Sequence, residues 1–348
     1  MQNKKFLKKL IISIILFLSL PAIIVLVFDP FFHYHKPIRP LKEVLTQAEY
    51  QVIGTLKNFE YDSLIAGSSM AENYNNYWFD ELFGCKTIKA VKPGANTSDL
   101  VYLLNRAYEY KQIKNIFYTL DIAAFTTTVK EHYVNEGMPL YLYNENPLDD
   151  IKYLFNKHVI FKDIPYMIAN SFLGDYDEGD SFNWAKYKSF DTLHYEPTIE
   201  KQENKNLEEY RQYVEFNLNQ LEHLIREHQD TNFIFMVPPY SSLWWYEAYM
   251  CGDLEYNFYA LEEIFNRLLK YENVEIHYFQ SIEEIVADLS NYMDLLHFHP
   301  DINKNLVELI ITDHYLVTMD NKEEKLSEMK QLADKCIYEY AKEYLKEN

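Results

Sequence analysis

Tyr61-Asp62-Ser63-Leu64-Ile65-Ala66-Gly67-Ser68-Ser69-Met70 is the stretch whose reading decides the fold. A short, mostly apolar run stops at a glycine, and two serines follow. A run of this length bounded by a breaker reads as a buried strand. Gly67 permits a sharp exit from it, and a serine is a natural cap for a helix that starts there. Four further runs have the same look: residues 86–91, 115–120, 232–237 and 274–279, the fourth strand being ended by Pro238-Pro239.

Helical patterns fill the gaps. Ser98-Asp99 can cap a helix reaching about residue 110. Leu207, Tyr210, Val214, Leu218, Leu221 and Leu224 keep the 3.6-residue period. Residues 256–269 and 302–316 behave alike, and a last helix carries Leu326, Met329, Leu332, Cys336, Ile337 and Tyr340. Short strands alternating with helices predict an α/β fold, with a parallel sheet of about five strands and helical crossovers. Residues 122–205 break the rhythm and read as an insertion, a place where such folds shape ligand sites or carry a plain surface subdomain.

The chain has 348 residues, 48% hydrophobic and 25% charged, enough to build a core and too apolar for a disordered chain. Only 8 glycines and 12 prolines exclude a flexible low-complexity linker. Lys and Arg number 33 against 53 Asp and Glu, a net charge of −20 that argues against nucleic-acid binding. Cys85, Cys251 and Cys336 are scattered, so they form no disulfide framework and no metal-ligand spacing. At most one disulfide is possible, and free, buried thiols are the plainer expectation.

The N-terminus sets location. Lys4, Lys5, Lys8 and Lys9 precede an apolar run over residues 10–28. As a helix it spans ~28 Å, close to the hydrocarbon thickness of a bilayer. The lysines favour the cytoplasmic side, which places the remainder outside. A cleavable signal sequence is the rival, but the run continues past Ala22 to Phe28 before meeting Asp29-Pro30. The expectation is a cytoplasmic tip and anchor over 1–28, and one extracytoplasmic domain over 29–348.

Three motifs can carry chemistry. Gly67-Ser68-Ser69 at a strand end offers an exposed nucleophile near a helix start, or an ordinary cap. Val91-Lys92-Pro93-Gly94-Ala95-Asn96-Thr97 after the second strand offers a glycine amide and the Asn96 side chain to an oxyanion, or is a turn before a helix. In Asp294-Leu295-Leu296-His297 an Asp can hold one imidazole nitrogen and leave the other as a general base, or cap a turn. His297 and His299 lack a third ligand of suitable spacing, so no metal is expected. Tyr240, Trp244 and Trp245 follow the fourth strand and either line a site or pack the core.

Taken in order, Gly67-Ser68-Ser69, Gly94 and Asp294-x-x-His297 resemble the SGNH (GDSL-type) hydrolase superfamily. The resemblance covers roughly residues 60–317. It implies a flavodoxin-like three-layer fold and a Ser69 nucleophile. His297 and Asp294 would be the other catalytic members, and the oxyanion would face Ser69, Gly94 and Asn96. It departs at the third strand, where Asp121 stands in place of the family's asparagine. An ionised carboxylate cannot donate to an oxyanion. Either Asp121 is protonated, or Asn96 or Asn73 donates, or backbone amides act alone. Asp121, Tyr240 and Trp244 are candidate substrate-lining residues.

With its anchor, the chain looks like the D-alanyl transfer proteins of teichoic acid synthesis and the alginate O-acetylation proteins. That likeness implies acyl transfer on a cell-surface polysaccharide, teichoic acid or acylated carrier. It also implies a membrane-bound O-acyltransferase as partner, and no cofactor. An esterase removing O-acetyl groups, and a non-catalytic scaffold, are the alternatives.

Overall fold

The computed structural model describes residues 2–126, 138–190, 193 and 195–347. Residues 127–137 of the expected insertion lie outside them. In chain order the helices and strands are α1 (Gln2–Phe28), α2 (Ala48–Asn58), β1 (Ser63–Gly67), α3 (Ser69–Glu72), α4 (Asn76–Phe83), β2 (Thr87–Val91), α5 (Thr97–Tyr110), β3 (Asn115–Thr119) and α6 (Ala123–Thr126). Then come α7 (Ile151–Leu154), α8 (Ile164–Phe172), α9 (Leu207–Glu227), β4 (Asn232–Val237), α10 (Ser242–Met250), α11 (Leu254–Leu268) and β5 (Val274–Tyr278). The chain closes with α12 (Glu283–Ala287), α13 (Pro300–Ile310), β6 (Leu316–Val317), α14 (Lys322–Lys335) and α15 (Ala341–Glu347).

The chain divides into two compact units: residues 1–60 with 136–181, and residues 61–135 with 182–348. The stretch expected as a single insertion is therefore shared between them.

The second unit is α/β. Its sheet has the order β2-β1-β3-β4-β5-β6. The first five strands are parallel, and β6 runs antiparallel to β5. β1 and β2 are buried along their whole length, as strands covered on both faces should be. The five parallel strands are the five expected, and the antiparallel sixth is an addition to them. The helix expected over 302–316 stops at Ile310, and Leu316 and Val317 pair instead with His277 and Ile276. Two residues are too few to show a period, so in sequence they merge with the helix before them.

Side-chain caps start the helices that matter. The α5 cap is Asn96, two residues earlier than expected. Its side chain accepts from the Asp99 amide at 2.9 Å, and the Asp99 carboxylate accepts in turn from the Asn96 amide at 3.3 Å. Asn206 caps α9, Ser241 caps α10 and His299 caps α13. All three cysteines are free thiols; Cys336 is buried as expected, whereas Cys85 and Cys251 are only half-buried.

The first unit holds α1 and the chain that leaves it. Asp29 is fully buried and has φ +40°. Its carboxylate accepts from the amides of His33, Tyr34 and His35 at 2.7–3.0 Å and from the Tyr153 hydroxyl at 2.8 Å. Burial dominates and pushes the Asp29 carboxyl up, against these bonds. The knot fixes how the chain leaves α1.

Gly67 has φ +156°, and a Cβ there would sit 2.7 Å from the Ala71 Cβ and 3.0 Å from the Thr119 Cβ. Gly67→Ala is expected to cost about 1–3 kcal/mol by overpacking and backbone strain. A lowered midpoint in urea unfolding checks this, whereas an unchanged midpoint would mean that the turn has slack.

Candidate active site

The residues that start the site lie on the short turn after β1. The chain leaves the strand at Gly67. Ser68 then caps α3, its hydroxyl accepting from the Met70 amide at 3.5 Å. Ser68 is buried at 3% exposure, while Ser69 is half-buried at the first helical position. An amide there has no acceptor within the helix.

Far along the sequence, residues 294–297 form a tight turn. The Asp294 carboxylate accepts from the amides of Leu296 at 2.9 Å and His297 at 2.8 Å. Its other oxygen lies 2.7 Å from His297 Nδ1. His297 Nε2 lies 2.9 Å from Ser69 Oγ. A carboxylate can only accept, so Nδ1 carries the imidazole proton and Nε2 is free to accept from the serine. Burial alone would raise the Asp294 carboxyl. The bonds from the His297 ring and from the two amides outweigh it and hold the group below its ordinary value. Ser69, His297 and Asp294 thus form one hydrogen-bonded relay.

Trp184 carries no signal in the sequence. Its indole N–H donates to the Ser69 carbonyl at 3.2 Å, and its ring meets the His297 ring edge-to-face at 4.9 Å. Asn73 holds that segment by accepting from the Ala185 amide at 3.2 Å, so its side-chain oxygen is committed to structure. No periodicity marks residues 182–187, which is why the tryptophan escapes a sequence reading.

Asp121 sits just past β3 and accepts from the Ser68 hydroxyl at 3.3 Å, the Ala123 amide at 3.3 Å and the Tyr240 hydroxyl. It acts as an acceptor that ties the serine turn to Tyr240. Tyr240 is fully buried and therefore presents no surface to a substrate. Burial first, and then the Asp121 charge, push its phenol well above the ordinary value. Gly94 has φ +62°, and a Cβ there would meet nothing within 4 Å, so glycine is needed for its left-handed backbone rather than for space. Asn96 commits its oxygen to the α5 cap, and its Nδ2 is buried without a partner among the described residues. A donor sealed from water is equally sealed from an oxyanion, so Asn96 cannot take the expected role unless its loop opens.

A cavity of about 420 Å³ opens beside the histidine, walled by Ala123, Trp244, Asp294, Leu295, Leu296 and His297. Trp244 therefore lines it, while Trp245 is core. Glu247 and Asp253 add carboxylates to its wall. Burial would raise Glu247, but bonds from Thr198, Tyr195 and Cys251 keep it below its ordinary value and so ionised. Among the described residues, no group of three or more His, Cys, Asp or Glu gathers as a metal site would require.

No family model and no curated protein matches the chain. Among solved structures it is similar to one from Streptococcus pneumonia described as "a putative platelet activating factor". The identity is 12%, the TM-score 0.40, and the match covers 77% of this chain and 91% of that one.

Trp184→Phe keeps a ring against His297 and deletes the bond to the Ser69 carbonyl. One neutral hydrogen bond is worth about 1 kcal/mol, so reaction of Ser69 with a serine-directed probe should slow roughly fivefold. Trp184→Ala should slow it further. Equal rates in all three proteins would remove Trp184 from the site.

Proposed function

We propose that this chain is a membrane-anchored serine esterase or acyltransferase that acts on acyl esters of a cell-surface polysaccharide. The observation that carries the reading is the relay of 2.9 Å from Ser69 to His297 and 2.7 Å from His297 to Asp294. In the proposed step His297 Nε2 takes the Ser69 hydroxyl proton as Oγ attacks the ester carbonyl. The oxyanion faces backbone amides, for which Ser69 and Gly94 are the candidates. The ester C–O bond then breaks, and His297 returns its proton to the departing alcohol. Water or an acceptor hydroxyl next gives its proton to His297 and takes the acyl group, and as the bond to Ser69 breaks His297 returns that proton to Oγ.

The cavity beside His297 fits one part of such an ester. Its carboxylates, in a chain of net charge −20, disfavour a phosphate-bearing group there. A neutral acyl group on a polysaccharide fits better than a teichoic acid backbone. Within α1 the 24 residues from Lys5 to Phe28 are apolar and almost wholly uncovered, with the length and composition of a membrane span or a signal sequence. The Asp29 knot, built directly on its last turn, favours a helix that stays attached. Transfer together with a membrane-bound O-acyltransferase belongs to this reading.

A second reading, a non-catalytic scaffold, is favoured by the acceptor-only Asp121 and the sealed Asn96 amide. A fluorophosphonate probe separates the two. Labelling mapped to Ser69 by mass spectrometry is expected, absent in Ser69→Ala and reduced on the order of 10³-fold or more in His297→Ala. A folded wild-type chain that stays unlabelled would favour the scaffold. Asp294→Asn should keep the fold and lower the labelling rate by orders of magnitude, because it permits the wrong imidazole tautomer.

A further inference from the structure

The first unit carries an apolar surface that its own core does not use. Along residues 151–173 the buried side chains are few: Tyr153, Val159, Asp163, Ile164 and Met167. The opposite face exposes Ile151, Phe155, Phe161, Tyr166, Phe172 and Leu173, with Phe161 80% and Leu173 89% exposed. Patches of this kind mark a contact surface.

Charge narrows the partner. The chain as a whole is strongly acidic, yet the exposed charges of this segment are Lys152, Lys157 and Lys162. Lys152 lies 3.7 Å from Asp149, just outside the segment. The segment's own acid, Asp163, is buried. Exposed aromatic and aliphatic side chains interleaved with lysines match a lipid headgroup boundary. There the rings enter the acyl edge and the ammonium groups reach phosphate.

Position narrows it further. α7 and the turn Val159–Asp163 pack against α1. Tyr153 of α7 donates to Asp29 and accepts from the Phe31 amide at 3.1 Å, so α7 stands level with the end of α1. Val25, less than one turn before that end, is fully covered. Twenty-four residues rise about 36 Å, some 6 Å more than the hydrocarbon core. The last turn of α1, and whatever packs against it, therefore falls at the membrane surface if α1 spans.

We infer that the exposed face of residues 151–173 rests in the headgroup boundary of the bilayer that α1 crosses. The inference rests on the anchor reading of α1. The segment is then a second membrane contact, and it fixes the first unit against rotation about its single helix.

The test uses the full wild-type chain in vesicles of phosphatidylcholine and phosphatidylglycerol that contain a lipid with a diazirine on its acyl chain. After illumination, lipid adducts are mapped by mass spectrometry. Adducts in both α1 and residues 151–173 are expected. Adducts in α1 alone would overturn the inference and leave the anchor standing. Adducts in neither would sink the anchor as well. Phe161→Asp with Leu173→Asp should lower the segment's adducts at least fivefold and leave those of α1 unchanged. Undiminished labelling of the segment in that variant would overturn the inference.

Discussion

There is no room for a methyl group at residue 67. The strand that carries Ser63–Gly67 ends against the Thr119 side chain on one side and Ala71 on the other, and the chain passes between them only as glycine. That close passage lets α3 begin at once, with Ser68 turned inward as its cap and Ser69 left half-buried at the rim. The parallel sheet supplies the constraint, since Thr119 belongs to the neighbouring strand β3. From this one turn follow the direction of the serine hydroxyl and the place where His297 must meet it.

The partner turn is built on an equally local device. One carboxylate of Asp294 collects two amides of its own turn and the imidazole proton. The residue that orients the imidazole also folds the loop that carries it. Trp184 then spans both halves, touching the serine backbone and the histidine ring. Two short-range motifs and one long-range indole define the geometry, and Asp121, held by the Ser68 hydroxyl and by the buried Tyr240, braces it.

What is legible in the sequence follows the same division. Strands β1 to β5 can be read because each is a compact, partly apolar run, and the two halves of the relay because Gly-Ser-Ser and Asp-x-x-His are local patterns. β6 cannot, being two residues long and fused in pattern to α13. Trp184 is hidden because its partners lie 115 and 113 residues away, in a segment without period. Asn96 looks like an oxyanion donor in sequence, yet helix capping claims its oxygen and burial claims its nitrogen. The exposed lysine and aromatic face of residues 151–173 is merely irregular as sequence, since its meaning depends on its nearness to α1.

The direction of the imidazole between Asp294 and Ser69 is the point on which the mechanism turns. ¹⁵N NMR of the chain, labelled at histidine and recorded where the His297 ring is neutral, reads it directly, with His297→Ala used to assign the signal. A protonated Nδ1 and an unprotonated, hydrogen-bonded Nε2 are predicted. A proton found on Nε2 instead would contradict the relay, because that nitrogen could not then take the proton of Ser69.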